Sequence, residues 1–540
     1  MHSPWVRQAL HLALLLLACG LLMHNAQAQS PTMDEQNHMA RGYALLRTGD
    51  PRLSVEHPPL INLLEALPLG GGVTLPLDDP SWAQAEWYRF ADLFLWSVNS
   101  MPDRMVFLSR MPIVALTLLL SAVARRWGRE LGGATTGWVV GSLVLLDPNV
   151  LAHGSLATTD LGITFTVLLA AYAIWHAAQQ QGFGMWLAGG LALGAMLASK
   201  SSALAFWGSL GLVYLFRAQR YVRRSSRLSR IIAPVLQYGG MTCVGLVVLW
   251  ATYGFDMGPW AAGGPGLPLA TYWRGLQAVF ANVRGARMAY LLGETRLGGW
   301  VSYFPIAFAV KTPLPVLCLL AAAMIAALRH PRRRAVQLLL LPVGIYWLSV
   351  LGSDLNLGYR HLLPTLPLVY LWTATTLSQI SIRWLSRLRA WLLVWLVFET
   401  VFIAPHFLAY FNPIAGGPEL GWRVLADSNI DWGQDLKGLR AYLTEEASGE
   451  SVHLSWFGSS YPERYGIDYE PLPGLPHHFQ LWFEPPAFDV SSPAPGLYAI
   501  SVSNLVELPL MDKHFFAYFR NREPDARIGY SVYIYRVGEG

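Results

Sequence analysis

The stretch SPTMDEQNHMARGYALLRTGDPRLSVEHPPL, residues Ser30 to Leu60, directly follows an apolar N-terminal run. It places two adjacent carboxylates, Asp34 and Glu35, and several other charges at the point where the chain leaves that run. Two structures would account for this pattern, a well-capped surface helix or the polar mouth of a site beside a membrane. The rest of the sequence is needed to choose between them.

The composition is that of a membrane protein. Of 540 residues, 53% are hydrophobic and only 14% are charged, whereas a soluble chain carries about 25% charged residues. The three cysteines, Cys19, Cys243 and Cys318, lie in apolar runs, so no disulfide framework is predicted. The net charge of +5 does not indicate a nucleic-acid partner, because the arginines cluster in short loops between apolar segments.

About eleven apolar runs are long enough, at roughly 17–25 residues, to cross a bilayer as helices. They centre near Leu17, Leu116, Val144, Val167, Leu193, Phe206, Val247, Leu319, Val343, Val369 and Val394. The predicted fold class is therefore an α-helical protein with many transmembrane segments, in contact with membrane lipids.

Four arginine-rich loops predict the orientation. They are ARRWGRE from Ala124, RAQRYVRRSSRLSR from Arg217, RHPRRR from Arg329 and RWLSRLR from Arg383. By the positive-inside rule these loops are cytoplasmic. Alternation then places the N-terminus in the cytoplasm, and residues 29–104, residues 253–299 and everything after about Pro405 outside it.

The N-terminal run has a second interpretation. Ala26-Gln27-Ala28 resembles a signal-peptidase site, although only Arg7 provides a positive charge before the apolar core. Cleavage there would leave the predicted topology of the remaining chain unchanged.

Two regions outside the membrane have predictable local structure. In the first outer segment, one helix is expected between Pro31 and Gly49, and another begins at Pro58-Pro59. After Pro405, DWGQDLKGLRAYL is typical of an amphipathic helix, and SVHLSWFGSS, GLYAISVSNL and YSVYIYRV are typical of strands. We therefore predict a transmembrane domain at residues 1–406, with a catalytic loop at 29–104, and a small extracytoplasmic α/β domain at 407–540.

The acidic pair fits either structure proposed for the opening stretch. Thr32 and Glu35 match a capping box, in which the Glu35 side chain reaches back to the backbone of Thr32. In favour of a site, Asp34, His38 and Arg41 share one helical face, and His57 is held extended by the proline that follows it.

Other ionisable residues lie at the predicted outer ends of the spans. They are Asp147, His153, Asp160, Lys200, Lys311, Asp354, Arg360 and His361. Any single cation among them would also suit simple anchoring at the interface. Together, a carboxylate that acts as a general base and cations that bind a phosphate leaving group would suit group transfer from a lipid phosphate.

At these residues the chain resembles membrane glycosyltransferases of the C-type fold, in particular the bacterial relatives of protein O-mannosyltransferases and aminoarabinose transferases. The matching stretches are DEQNHMARGYALLRTGDPRL, EHPPL, HGSLATTDLGITF, KTPLP, GYRHLLPTLPL and DSNIDWGQDL. The resemblance implies a bacterial inner-membrane enzyme with a polyprenyl-phosphate-linked sugar donor. It also implies an extracytoplasmic protein, lipid or glycan acceptor and inversion at the anomeric carbon.

The resemblance also suggests roles for individual residues. Asp34 becomes the catalytic base, Glu35 its neighbour that positions the acceptor, and Asp160 a second acidic residue of the catalytic site. His57 matches the family histidine before the paired prolines, and His38 is placed with the substrate-binding residues. Donor-phosphate contact by Lys200, Lys311, Arg360 and His361 is inferred from chemistry and depth.

The motif DSNIDWGQD, Asp427 to Asp435, has the acidic alternation of a calcium loop. Trp432 stands where the required glycine belongs and Gly438 where the bidentate glutamate belongs, so a calcium loop is excluded. A capping box between Asp431 and Gln434 is the milder interpretation. No metal site is predicted, and the resemblance leaves a divalent cation open.

Two rival functions remain at this stage. A transporter or flippase of a lipid-linked sugar would carry its ionisable groups near the bilayer midplane, whereas here most lie at the outer ends of the spans. A non-catalytic assembly subunit is the other alternative.

Overall fold

The computed structural model describes the chain except residues 1–3, 181, 219–228, 261–262, 285–286, 330–333, 381–382, 475–488, 490, 511–513 and 539–540. Most of the arginine-rich loops that begin at Arg217 and Arg329 therefore lie outside the described residues.

Helices form most of the first half of the chain. They are α1 (Pro4–Ala28), α2 (Glu35–Thr48), α3 (Leu60–Ala66), α4 (Pro80–Ala83), α5 (Trp87–Asp92), α6 (Pro102–Gly132), α7 (Ala134–Leu146), α8 (Pro148–Gly154), α9 (Thr159–Gln180), α10 (Phe183–Leu197), α11 (Ala203–Ala218) and α12 (Ser229–Thr252).

The next part combines two short antiparallel hairpins with further helices. Strands β1 (Met257–Pro259) and β2 (Gly266–Pro268) form one hairpin, and β3 (Met288–Leu291) and β4 (Glu294–Leu297) form the other. The helices are α13 (Ala270–Arg284), α14 (Tyr303–Lys311), α15 (Leu314–Arg329), α16 (Arg334–Gln337), α17 (Leu340–Leu351), α18 (Leu366–Ser378) and α19 (Arg383–Ile403).

The C-terminal part is built on a five-stranded mixed sheet. Its strands are β5 (Val452–Ser455), β6 (Tyr469–Pro471), β7 (Gly496–Ser501), β8 (Ala526–Ile528) and β9 (Val532–Val537), in the order β6-β5-β7-β9-β8. Strand β5 is parallel to β6 and β7, whereas β9 is antiparallel to β7 and β8. Helices α20 (Gly417–Leu420), α21 (Leu436–Glu445), α22 (Val502–Leu505) and α23 (Ala517–Arg520) accompany it. The predicted fold class, a helical membrane protein with a small α/β part at its C-terminus, is confirmed.

Four described helices are long and apolar enough to cross a membrane. They are Gln8–Ala28, Pro102–Gly132, Thr159–Gln180 and Ile231–Thr252; the pair α14 and α15, bent by 112°, adds a fifth candidate. All eleven predicted span centres lie inside helices, but several of these are short, so the number of spans stays a prediction. The domain boundary at residue 406 also stays a prediction.

Two sequence predictions in the C-terminal part are wrong in detail. Gly433 has a left-handed φ of 83°, and α21 begins only at Leu436. Instead of closing a capping box, Gln434 Oε1 accepts the backbone N–H of Trp432 at 2.8 Å. The segment GLYAISVSNL leaves the sheet after Ser501 and continues as α22, where Asp431 accepts the N–H of Ser503 at 2.8 Å.

The first outer segment packs closely because of one glycine. Helix α2 begins after Asp34 and ends at Gly49, whose left-handed backbone donates its N–H to Leu45. Within α2, a Cβ on Gly42 would lie only 1.9 Å from the carbonyl oxygen of Asn62 in α3. The absence of that Cβ allows the two helices to touch.

Candidate active site

Asp34 lies at the mouth of the first outer segment, immediately before α2. Its side chain is 28% exposed, and Oδ2 accepts a hydrogen bond from Arg360 Nη1 at 3.0 Å. These residues are 326 positions apart in the sequence. The fold therefore brings the start of α2 against the 3-10 turn Tyr359–Thr365, which leads into α18.

Glu35 is fully buried and its carboxylate is saturated with donors. Arg110 binds both oxygens, with Nε to Oε1 at 2.7 Å and Nη2 to Oε2 at 2.6 Å. The backbone N–H groups of Thr32 and Ala157 add bonds of 2.8 and 2.7 Å. Burial alone would raise the pKa of Glu35, but the Arg110 charge and these donors lower it below its ordinary value. The predicted reach from Glu35 to Thr32 is confirmed, and the carboxylate fixes the residue next to Asp34.

Asp160 and Lys200 extend the line of charges from Asp34 into the protein. Asp160 is in the first turn of α9, and its Oδ1 accepts from Lys200 Nζ at 2.6 Å. Its Oδ2 lies 3.7 Å from Arg360 Nη1. Asp34, Arg360, Asp160 and Lys200 thus form a continuous chain of ion pairs, which we call the charged cluster. Two positive and two negative charges balance within it.

Two histidines of the first segment lie beside the cluster. The rings of His38 and His57 stack with their centres 5.7 Å apart, and His38 Nδ1 lies 3.1 Å from Asn62 Oδ1. Burial lowers the pKa of His38 to about 4 and that of His57 well below its usual value. Both rings are therefore neutral near pH 7.

His153 and His361 approach the cluster from other elements, the end of α8 and the turn before α18. Burial lowers the pKa of each to about 3; Lys200 and Arg360 further lower that of His361. Within the described part of the chain, His57 Nδ1, His153 Nδ1, His361 Nε2 and Arg360 Nε are buried without a hydrogen-bond partner. Buried polar atoms are normally paired, so this convergence marks a place for a polar ligand.

Lys311 is buried at the end of α14 and contacts a different set of groups. Its Nζ donates to the carbonyl oxygens of Leu408 at 2.8 Å and Asn429 at 2.6 Å, and it faces the ring of Phe411 at 4.5 Å. Its predicted contact with a donor phosphate stays a prediction. The observed contacts tie α14 to the segment that contains Asn429.

Sequence reasoning missed two residues of this region. Arg110, the buried partner of Glu35, stands alone in an otherwise apolar run, and an isolated arginine there was the available signal. Trp432 lies inside a motif that was noticed but had no role. Its ring centre is 4.2 Å from Arg360 Cζ.

Among the residues that the structure describes, no group of three or more His, Cys, Asp or Glu side chains has the arrangement of a metal site.

No family model and no curated protein matches the chain. Among solved structures it is similar to ArnT from Cupriavidus metallidurans in the apo state, at 13% identity, with 98% of this chain and 97% of that chain covered and a TM-score of 0.47. The same protein bound to undecaprenyl phosphate matches at 13% identity over 99% and 98% of the chains, with a TM-score of 0.46. The oligosaccharyltransferase of Archaeoglobus fulgidus in the apo form matches at 11% identity over 93% of this chain and 71% of that one, with a TM-score of 0.44. Because each TM-score lies below 0.5, the function proposed next rests on the geometry of the charged cluster.

Proposed function

We propose that the chain is an integral membrane glycosyltransferase that moves a sugar from a polyprenyl-phosphate donor to an extracytoplasmic acceptor, with inversion. The observation that carries this proposal is the pairing of a partly exposed carboxylate with a buried guanidinium, Asp34 Oδ2 to Arg360 Nη1 at 3.0 Å. One group of the pair suits an acceptor hydroxyl, and the other suits a phosphate.

In the proposed reaction, the acceptor oxygen attacks the anomeric carbon of the donor while Asp34 takes the hydroxyl proton. A new carbon–oxygen bond forms as the bond between that carbon and the phosphate oxygen breaks. The electron pair leaves on the polyprenyl phosphate. Attack from the face opposite the leaving group inverts the anomeric configuration.

The cations of the cluster suit the leaving phosphate. Arg360 Nε has no partner in the described part of the chain, so it can donate to a phosphate oxygen while Nη1 stays near Asp34. Lys200 and Asp160 lie behind it and hold the guanidinium in place. The neutral histidines supply hydrogen bonds without adding positive charge.

Glu35 has a supporting role in this proposal. Arg110, Thr32 and Ala157 occupy its carboxylate oxygens. We assign it to holding the start of α2, and hence Asp34, in place. It contacts neither the acceptor nor the donor in this scheme.

The position of the cluster supports an outer-surface reaction. Arg110 and Glu35 meet near the start of α6, whereas the basic stretch around Arg126 is near its end. The 20 residues from Arg110 to Glu130 span about 30 Å of helix, close to the thickness of a bilayer core. If that basic end is cytoplasmic, the cluster and the C-terminal sheet face the outside.

Replacement of Asp34 tests the proposal directly. In cells that lack the chain, we expect one polyprenyl-phosphate sugar to accumulate, as measured by mass spectrometry of extracted lipids. The wild-type chain should remove it, and Asp34→Asn should not, although it inserts normally, because asparagine cannot accept the proton. Asp78→Asn, an exposed position in the same segment, is the matched control and should act like the wild type.

Normal glycan product from Asp34→Asn would contradict the proposal. A changed distribution of the lipid-linked sugar between the two leaflets, with no new glycosidic bond, would instead indicate a flippase.

A further inference from the structure

The Asp427–Asp435 segment, which had no role at the sequence level, is bonded to the residue that precedes Arg360. Asn429 Oδ1 accepts the backbone N–H of Tyr359 at 2.9 Å, and Asn429 O accepts from Lys311 Nζ at 2.6 Å. One end of the segment is therefore held by the helical part, immediately beside the guanidinium of the charged cluster.

The same segment is bonded to the backbone just before Asp34. Met33 donates its N–H to the carbonyl oxygen of Trp432 at 3.0 Å, and Ser30 donates its N–H to that of Gln434 at 2.9 Å. The entry to α2 thus has a fixed position relative to Trp432.

The C-terminal sheet holds the segment from a third side. Asp431 Oδ2 accepts the N–H of Ser503 at 2.8 Å, and Asp435 Oδ2 accepts from Ser531 Oγ at 2.6 Å. Both carboxylates are buried and directed toward the sheet part. They anchor the segment and lie away from the cluster in the pattern of their contacts.

Trp432 joins these attachments to the site. Its side chain is only 2% exposed, and the Arg360 guanidinium stacks over the indole ring at 4.2 Å. The ring of His153 packs edge-on against the indole at 6.0 Å. Contact through the guanidinium face leaves the N–H groups, which lie in its plane, directed toward Asp34 and toward the unpartnered side at Nε.

We propose that Trp432 is a positioning residue for the transfer reaction, and that the Asp427–Asp435 segment holds its indole so that Arg360 presents its donors to an anion beside Asp34. This inference rests on the proposed function in one respect, that the anion bound by Arg360 is a lipid phosphate. Without the indole, Arg360 would keep its ion pairs with Asp34 and Asp160 but lose the surface that fixes its plane.

A double-mutant cycle on the full-length protein tests the inference. Binding of undecaprenyl phosphate in detergent micelles is measured for the wild type, Trp432→Leu, Arg360→Gln and the double variant. We expect Trp432→Leu to weaken binding by about 2- to 30-fold, the range for loss of one cation–π contact. In the Arg360→Gln background, the same change should have almost no further effect.

Two further variants sharpen the test. Trp432→Phe keeps an aromatic face and should recover part of the affinity. Trp422→Leu is the matched control, since Trp422 also stacks with an arginine, Arg423 at 5.4 Å, outside the cluster. It should leave binding unchanged.

Equal weakening by Trp432→Leu in both backgrounds would overturn the inference, because the tryptophan would then act only through packing. Failure of the proposed function gives a different result. If the wild type transfers no sugar but the cycle is non-additive, the positioning role stands and the transferase proposal fails. If Asp34→Asn abolishes transfer but the cycle is additive, the transferase proposal stands and the positioning role fails.

Discussion

At the scale of single residues, burial divides two adjacent carboxylates into two roles. Asp34 keeps a partly exposed oxygen and one ion-pair partner, whereas Glu35 is enclosed by an arginine and two backbone N–H groups. One position therefore remains open to chemistry while its neighbour is committed to structure.

This division predicts a large loss of stability for Glu35→Gln. The change removes the charge that compensates Arg110, whose side chain is 1% exposed, and leaves a buried cation without its partner. Breaking such a pair costs about 3–5 kcal/mol. Thermal unfolding in detergent should show a clear fall in Tm.

Glu450→Gln is the control for that prediction. Its pair with Arg536 is short, 2.7 Å, but both side chains are more than 40% exposed. Exposed pairs contribute about 0–1 kcal/mol, so little change in Tm is expected. Similar Tm values for the two variants would contradict the structural role given to Glu35.

At the scale of elements, the site depends on how closely α2 lies against α3. Asp34 begins α2, and His57 directly precedes the two prolines before α3. The stacked rings of His38 and His57 cross the same contact. The backbone approach at Gly42 therefore sets the relative position of several site residues.

Gly42→Ala tests this contact. The new Cβ would overlap the carbonyl oxygen of Asn62, and backbone on both sides leaves little room for relief. We expect a loss of about 1–3 kcal/mol from overpacking, measured by thermal unfolding. Gly20→Ala in α1 is the control, since its Cβ would meet nothing within 4 Å. A variant as stable as this control would show that α2 and α3 separate easily.

At the scale of the whole molecule, the charged cluster draws on helix ends that are far apart in the sequence. Asp34, Asp160, Lys200 and Arg360 come from four different elements. The Asp427–Asp435 segment adds the C-terminal sheet to this assembly. We infer that the sheet part stabilises the site as well as facing the same compartment.

The proposed orientation can be measured by cysteine labelling. In a background with Cys19, Cys243 and Cys318 replaced by alanine, Glu445→Cys, exposed at the end of α21, should react with a membrane-impermeant maleimide in intact cells. Arg126→Cys, whose native side chain is 73% exposed, should react only after permeabilisation. The reverse pattern would place the cluster in the cytoplasm and remove the basis for an extracytoplasmic acceptor.

The sequence by itself determined the class of molecule and most of its elements. Apolar runs long enough for a bilayer predict helices wherever they occur, and all eleven centres are helical. Local signals also predicted the ends of α2 and the start of α3, because caps and prolines act over only a few residues. The ionisable residues at span ends were recognised one by one for the same reason.

Only the tertiary structure decided which of those residues meet. Asp34 and Arg360 are 326 positions apart, and no local pattern records their contact. Lys311 could not be separated from Lys200 by composition, yet one binds backbone carbonyls and the other binds a carboxylate. Trp432 was invisible as a site residue because its importance comes from a ring placed under a guanidinium by three distant parts of the chain. Ion pairing and stacking depend on distance in space, and only the packed helices and sheet fix that distance.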